Sequence, residues 1–277
     1  MDRYQSIVTV AAVIFVSLFM FTPPSHGTDI TENNIISKGN SVLKDNSLSE
    51  NGAVIVKKAF DYYRGAASVS VIEMTIHRPD WERTMKIKAW TRGADDSLFK
   101  ITAPSKDRGN GTLKKGEDMW TFNPKVNRVI KLPPSMMSQA WMGSDFSNND
   151  LAKSDTIVRD YSHTITDVKK NNGLKIYYVE SIPHPEAPVV WGMLKFEIRE
   201  DGIMIRQGFY DEDKLLVKEL VATDIKMMGD RLFPCFWKIA KAEYPDEYTA
   251  IRYFELDFKD FLPPSIFTKA GLKKKIR

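Results

Sequence analysis

The side chains best able to do chemistry are few and scattered. Beyond residue 27 the histidines are His77, His163 and His184. His77 and His163 fall in segments that read as strands, and His184 sits in a turn, Pro183-His-Pro185. No HxH or HExxH spacing joins them, so no metal site is expected. The single cysteine, Cys235, lies in Phe233-Pro-Cys-Phe-Trp237. With aromatic neighbours and no nearby cation or histidine, its thiol is not activated and reads as a small buried hydrophobe. Carboxylates cluster at Asp95-Asp96 and Asp211-Glu-Asp213. Both clusters fall at expected turns, where acidic residues are ordinary. There is no G-x-S-x-G elbow and no P-loop. A hydrolase built on two distant carboxylates has no positive support. No catalytic residue and no cofactor are therefore expected, and the chain reads as a non-enzyme.

Charge excludes another class. Forty Lys and Arg stand against 36 Asp and Glu, a formal net charge of +4 in 277 residues. That balance is too even for a protein whose affinity comes from neutralising phosphates, so no nucleic-acid partner is expected. The one dense basic run is the end, Lys269-Ala-Gly-Leu-Lys-Lys-Lys-Ile-Arg277. Lys273, Lys274, Lys275 and Arg277 read either as a solvated tail or as contacts to anionic head groups or an acidic membrane partner.

The elements that would position a site begin after an apolar run. Ile7–Phe21 is 15 residues long, preceded by Arg3 and followed by Pro23, Pro24, Ser25 and Gly27. It is shorter than the roughly 20 residues of a membrane-spanning helix, and it reads as a signal peptide spanning residues 1–27. The rival reading is an uncleaved anchor. Residues 28–52 are rich in Asn, Ser, Lys and Asp and read as a flexible extension. Residues 53–277 read as one domain. In it, Val56, Ala59, Phe60 and Tyr63 share a helical face that Gly65 ends.

About a dozen strands follow. Val69–Arg78 and Trp81–Arg92 flank the turn Pro79-Asp80, Asn172-Gly173 and Asp201-Gly202 favour tight hairpins, and Leu194–Arg199 alternates apolar with charged residues. Short links imply an antiparallel meander, and one this long must curl or close to hide its edges. Whether its concave side is filled or hollow is open at this point. Between the sixth strand and the second half, Pro134 to Gly143 reads as a short amphipathic helix carrying Met136, Met137, Ala140 and Trp141. Such a helix is either ordinary core or a mobile lid.

An ordered motif series adds a resemblance. Tyr62-Tyr63-Arg64-Gly65, Trp81-Glu-Arg83, Asp107-Arg-Gly109, Leu113, Trp120, Pro124, Arg128, Leu132-Pro133, Trp141-Met-Gly-Ser-Asp-Phe146 and Asp150-Leu151 resemble the outer-membrane lipoprotein-sorting family. These are relatives of the periplasmic carrier LolA, in the subgroup of larger exported proteins. The resemblance implies a mainly β fold: an unclosed, strongly curved antiparallel half-barrel of about 11–13 strands, with short helices plugging its concave side. It implies a periplasmic carrier or chaperone that holds the acyl chains of lipoproteins, or other lipids, in an apolar cavity. An inner-membrane transporter or an outer-membrane acceptor would be its partner. The candidate contacts are Leu113, Trp120, Phe122, Ile130, Leu132, Met136, Met137, Trp141, Leu194, Phe196 and Ile198. The alternative is an exported interaction module with the same fold and a packed interior.

Overall fold

Alternating β-branched segments joined by tight turns give thirteen strands and little helix in a computed structural model that describes residues 47–154 and 156–275. The expected signal peptide, and the extension up to residue 46, lie outside the described residues. Helix α1 (Ser47–Arg64) starts ahead of the Ala53 expected and stops where Gly65 takes a φ of 58°. The first strands are β1 (Ala67–Arg78), β2 (Trp81–Arg92), β3 (Asp96–Ala103), β4 (Gly111–Lys115), β5 (Asp118–Asn123) and β6 (Arg128–Lys131). A long connection follows with two short helices, α2 (Asn148–Ala152) and α3 (Ile157–Asp160). The second set is β7 (Tyr161–Asn171), β8 (Leu174–Pro183), β9 (Met193–Arg199), β10 (Met204–Tyr210), β11 (Leu216–Met228), β12 (Arg231–Lys241) and β13 (Tyr248–Lys259). A short α4 (Lys269–Lys273) ends the described chain.

The turns carry the expected chemistry. Asn172 and Gly173 take φ of 50° and 85° between β7 and β8, and Gly229 and Asp230 take 59° and 76° between β11 and β12. Positive φ at both central residues matches the twist of the strands. Around Asp201-Gly202 the loop is wider than a two-residue turn: the Arg199 amide donates to the Ile203 carbonyl at 2.8 Å.

All thirteen strands form one antiparallel sheet in the order β6-β5-β4-β3-β2-β1-β13-β12-β11-β10-β9-β8-β7. β1 pairs with β13, so the first and last strands form its middle. β6 and β7 are neighbours in sequence yet occupy opposite edges, and the sheet stays open as a half-barrel. The connection between them must cross the full width. In a curved sheet the short way runs over the concave side, and that is the route the chain takes: Met136, Met137 and Trp141 pack on Ile72, Met74, Met85 and Ile87 of the inner face.

Residues 134–143 are not one helix. They form two separate turns of 3₁₀ helix, Pro134–Met136 and Trp141–Gly143. Ala140 is extended and bridges Ser147, while Met142 and Gly143 take φ of 53° and 80°, which no continuous helix accommodates.

Helix α1 covers the other half of the inner face, where Val56 and Ala59 meet Leu194, Phe196 and Ile198. Gly52 allows this approach, because a Cβ there would stand 2.3 Å from the His163 carbonyl oxygen. The outer face of β1–β6 is also covered. Leu98, Leu113 and Phe122 pack under Leu262, Phe267 and Leu272 of the C-terminal segment. The Lys100 ammonium lies beneath that segment, donating to the carbonyls of Gly271 (2.8 Å) and Lys274 and so satisfying the open end of α4. Burial, aided by the Lys274 charge, pulls its pKa down to about 8. The basic end is therefore docked: Lys273, Lys274 and Lys275 are exposed on a buried anchor, and Arg277 lies outside the described residues.

Candidate binding cavity

Between α1, the inner face of the sheet and the crossing connection lies a cavity of about 330 Å³. That is near the lower end of the roughly 300–1,000 Å³ typical of small-molecule sites. Aromatic groups are prominent in its wall: Phe60 and Tyr63 from α1, Phe99 from β3, Phe209, Phe233, Trp237 and Tyr253 from the second half, and Trp191 from the loop after β8. Tyr63 organises one side. Its hydroxyl donates to the Met204 carbonyl at 2.7 Å, and its ring meets Phe233 and Trp237 edge-on at 5.6 and 5.0 Å. Burial drives the Tyr63 phenol well above its ordinary pKa and that of Tyr253 up to about 12, so this wall stays uncharged at neutral pH.

Charges at the rim are engaged with the protein. Asp150 of α2 pairs with Lys218 of β11, both almost fully buried, and also accepts from Trp191 Nε1 at 3.3 Å and the Ser147 amide at 2.7 Å. The Lys218 ammonium lies 4.9 Å from the Trp191 ring and 5.2 Å from Phe209. Lys153 donates to the Pro188 carbonyl, and Arg64 donates to Ser154 Oγ at 2.9 Å. The motif residues anchor the rest of the crossing segment. Asp145 accepts from Arg78 at 2.9 Å and Thr249 at 2.7 Å, and Trp141 Nε1 donates to Thr112 at 3.1 Å. Arg83 ties that segment to Asp107, donating to its carboxylate at 3.0 Å and to the Met142 carbonyl at 3.4 Å.

None of the eleven candidate contacts lines the cavity. Leu113, Trp120 and Phe122 point to the outer face, under the C-terminal segment. Ile130 is half exposed. Leu132, Met136, Met137 and Trp141 form the layer beside the cavity, where Trp141 meets the lining residue Phe99 edge-on at 5.2 Å. Leu194, Phe196 and Ile198 face inward but lie under α1, with Phe60 against Phe196 at 6.3 Å. The residues that do line it include Phe60 and Tyr63, whose helical spacing was legible, and Trp237 and Tyr253, whose inward direction only strand pairing sets.

The other chemistry-bearing residues stay apart. His77 stacks on Tyr248, while His163 is buried against Ser181 Oγ at 2.7 Å and its pKa is lowered by burial. Cys235 is buried, and burial pushes its thiol up. Asp211 caps its own turn, accepting from the Leu215 amide at 2.8 Å. Among the described residues no three His, Cys, Asp or Glu side chains gather as a metal site needs.

Comparison with known proteins places this architecture. A family model described as "Uncharacterized protein" matches residues 93–274, about two thirds of the chain. The crystal structure of a "putative outer membrane lipoprotein-sorting protein domain" from Vibrio parahaemolyticus is similar at a TM-score of 0.71 and 20% identity, covering 82% of this chain and 100% of that one. A DUF1329 family protein from Desulfovibrio piger gives 0.72 and 21%, covering 81% and 99%. A LolA superfamily protein from Nitrosomonas europaea gives 0.66 and 22%, covering 79% and 98%. No curated protein matches.

Proposed function

This chain belongs to the family matched over residues 93–274 and has the fold of the lipoprotein-sorting LolA superfamily, and on that premise we propose that it is a periplasmic lipid carrier. Its cargo in this reading is an acyl chain, of a lipoprotein or of another lipid, held in the aromatic cavity and moved toward the outer membrane. The observation that carries the reading is the cavity itself, an aromatic hollow beneath a connection that crosses the mouth of an open sheet. No catalytic group is needed. Each methylene moved from water into an apolar site contributes about 0.8 kcal/mol, so about ten give roughly 8 kcal/mol before the costs of ordering the partners. Release then requires a partner that binds the emptied form better, or one that lifts the crossing connection.

Native mass spectrometry of gently purified protein tests this. A co-purifying lipid, displaced by a fluorescent fatty acid, is the expected result. Clean protein that takes up no fatty acid would falsify the carrier reading and leave an interaction module.

A further inference from the structure

The cavity is not uniformly apolar, and its polar atoms are arranged in a pattern. Across β1, β2 and β3 the inner face changes character along the strands. One row is Ile72 opposite Ile87, and farther along Met74 stands opposite Met85. In the other direction lies a row of hydroxyls: Ser68 opposite Thr91, and Thr91 opposite Ser97. Ser68 and Thr91 satisfy each other at 2.8 Å. Ser97 does not share in that bond, nor does Ser70 in the next row, and neither side chain makes a hydrogen bond among the described residues. On the facing part of the sheet, Gln207 of β10 is in the same position. Ser70, Ser97 and Gln207 are only 6%, 4% and 5% exposed, yet all three border the cavity. Their polar atoms face the cavity and are not sealed in the core, where the enclosed side-chain atoms without a partner among the described residues are Trp120 Nε1 and His163 Nε2, so what completes them is whatever occupies the cavity.

The chemistry of those groups selects the ligand. Hydroxyls and a carboxamide both donate and accept, and none carries charge. The charged groups at the rim are already engaged: Asp150 with Lys218, Lys153 with Pro188, and Arg64 with Ser154. An anionic head would be drawn to the Lys153 ammonium at the rim, whereas a neutral hydroxyl, ester or amide can bond the three uncharged groups on the cavity wall.

We infer that the cargo is an amphiphile whose uncharged hydrogen-bonding group enters the cavity together with its chain and is held by Ser70, Ser97 and Gln207. This rests on the carrier reading and narrows it from any acyl chain to a neutral head carried inside.

Competition against a bound neutral fluorophore tests it, using 1-dodecanol, dodecane and dodecanoate on the full chain. One net hydrogen bond is worth a factor of roughly two to ten, so the alcohol should bind about tenfold tighter than the alkane and tighter than the carboxylate. Gln207→Leu, and separately Ser97→Ala, should shrink the alcohol's advantage severalfold while the alkane binds as before. If alcohol and alkane bind equally, water satisfies these groups and the inference is overturned with the carrier reading intact. If dodecanoate binds tightest, the neutral-head inference is overturned in the same way. If no probe competes, both readings are overturned. The wild-type comparison needs no variant, and Gln207→Asn, which keeps the amide, should retain part of the preference if Gln207→Leu fails to fold.

Discussion

At the scale of single residues, the rim of the cavity depends on one buried ion pair. Lys218 and Asp150 are each almost fully enclosed, and the Asp150 carboxylate also caps α2. Removing one partner leaves the other buried and uncompensated, which typically costs about 3–5 kcal/mol, whereas removing both costs much less. Lys218→Met should therefore lower the urea midpoint by the equivalent of about 3 kcal/mol with little change in slope. Adding Asp150→Asn, which keeps an acceptor for the cap, should recover most of that loss. A single variant that loses under about 1 kcal/mol would show that the pair is solvated. Lys100 makes a separate prediction. Its folded pKa of about 8 lies below its ordinary 10.5, so between those values the unfolded chain holds a proton that the folded chain has released. Stability from this group therefore rises with pH across that window. The melting temperature of the wild type, less that of Lys100→Met, should climb from pH 8 to pH 10. A flat difference would mean that the ammonium is hydrated in the fold.

At the scale of elements, alternation located most strands but could not say which side of each faces the cavity. β4 shows why. Gly111, Thr112, Leu113 and Lys114 are all buried, because Thr112 meets Trp141 inside while Leu113 meets the C-terminal segment outside. Two buried faces carry no signal of inside and outside, so alternation does not reveal that Leu113, Trp120 and Phe122 face away from the cavity. The crossing segment failed for a different reason: its apolar residues have helical spacing, but Ala140 and Met142 leave the helical region, a backbone event with no residue signature except Gly143. α1 was legible because a helix shows its buried face in one sequence stretch. The C-terminal segment from Leu262 to Leu272 is an outer layer of the fold, and it carries the exposed Lys273, Lys274 and Lys275. Phe267 is fully buried. Phe267→Ala should cost about 3–5 kcal/mol, the range for large-to-small changes in a core, while Lys273→Ala should stay within about 0.5 kcal/mol. Denaturant titration distinguishes them, and a mild Phe267→Ala would mean that the segment rests on the sheet without supporting it.

At the scale of the whole molecule, topology decides what the crossing connection can do. Strands β1–β6 and β7–β13 are joined by the ladder between β1 and β13, by α1 packed on the later strands, by the C-terminal segment on the outer face of β3–β5, and by the connection over the mouth. Because β6 and β7 do not pair, cutting the connection removes no ladder hydrogen bond. The exposed Ser138–Gln139 bond is the place to cut, since both sides stay tied to the start of α2: the Asn149 amide donates to the Met137 carbonyl at 2.7 Å, and the Asn148 amide to the Gln139 carbonyl at 3.0 Å. A protease site inserted there and cleaved should leave one folded particle with unchanged far-ultraviolet dichroism, because the β1–β13 ladder still joins the halves. Retention is a different matter. Arg78 with Asp145, and Lys218 with Asp150, pin the connection to the central and the later strands, and a cut chain can lift between such points more readily than a continuous one. Dissociation of a bound fluorescent fatty acid should speed up about tenfold on cleavage, with less change in the rate of binding. Should the cleaved protein unfold, the connection is part of the cooperative fold and not a cover for the cavity. Should dissociation be unchanged, cargo leaves by another route, and the wall of Phe233, Tyr253 and Leu256, beyond the last β12–β13 pair of Phe236 with Arg252, becomes the place to look.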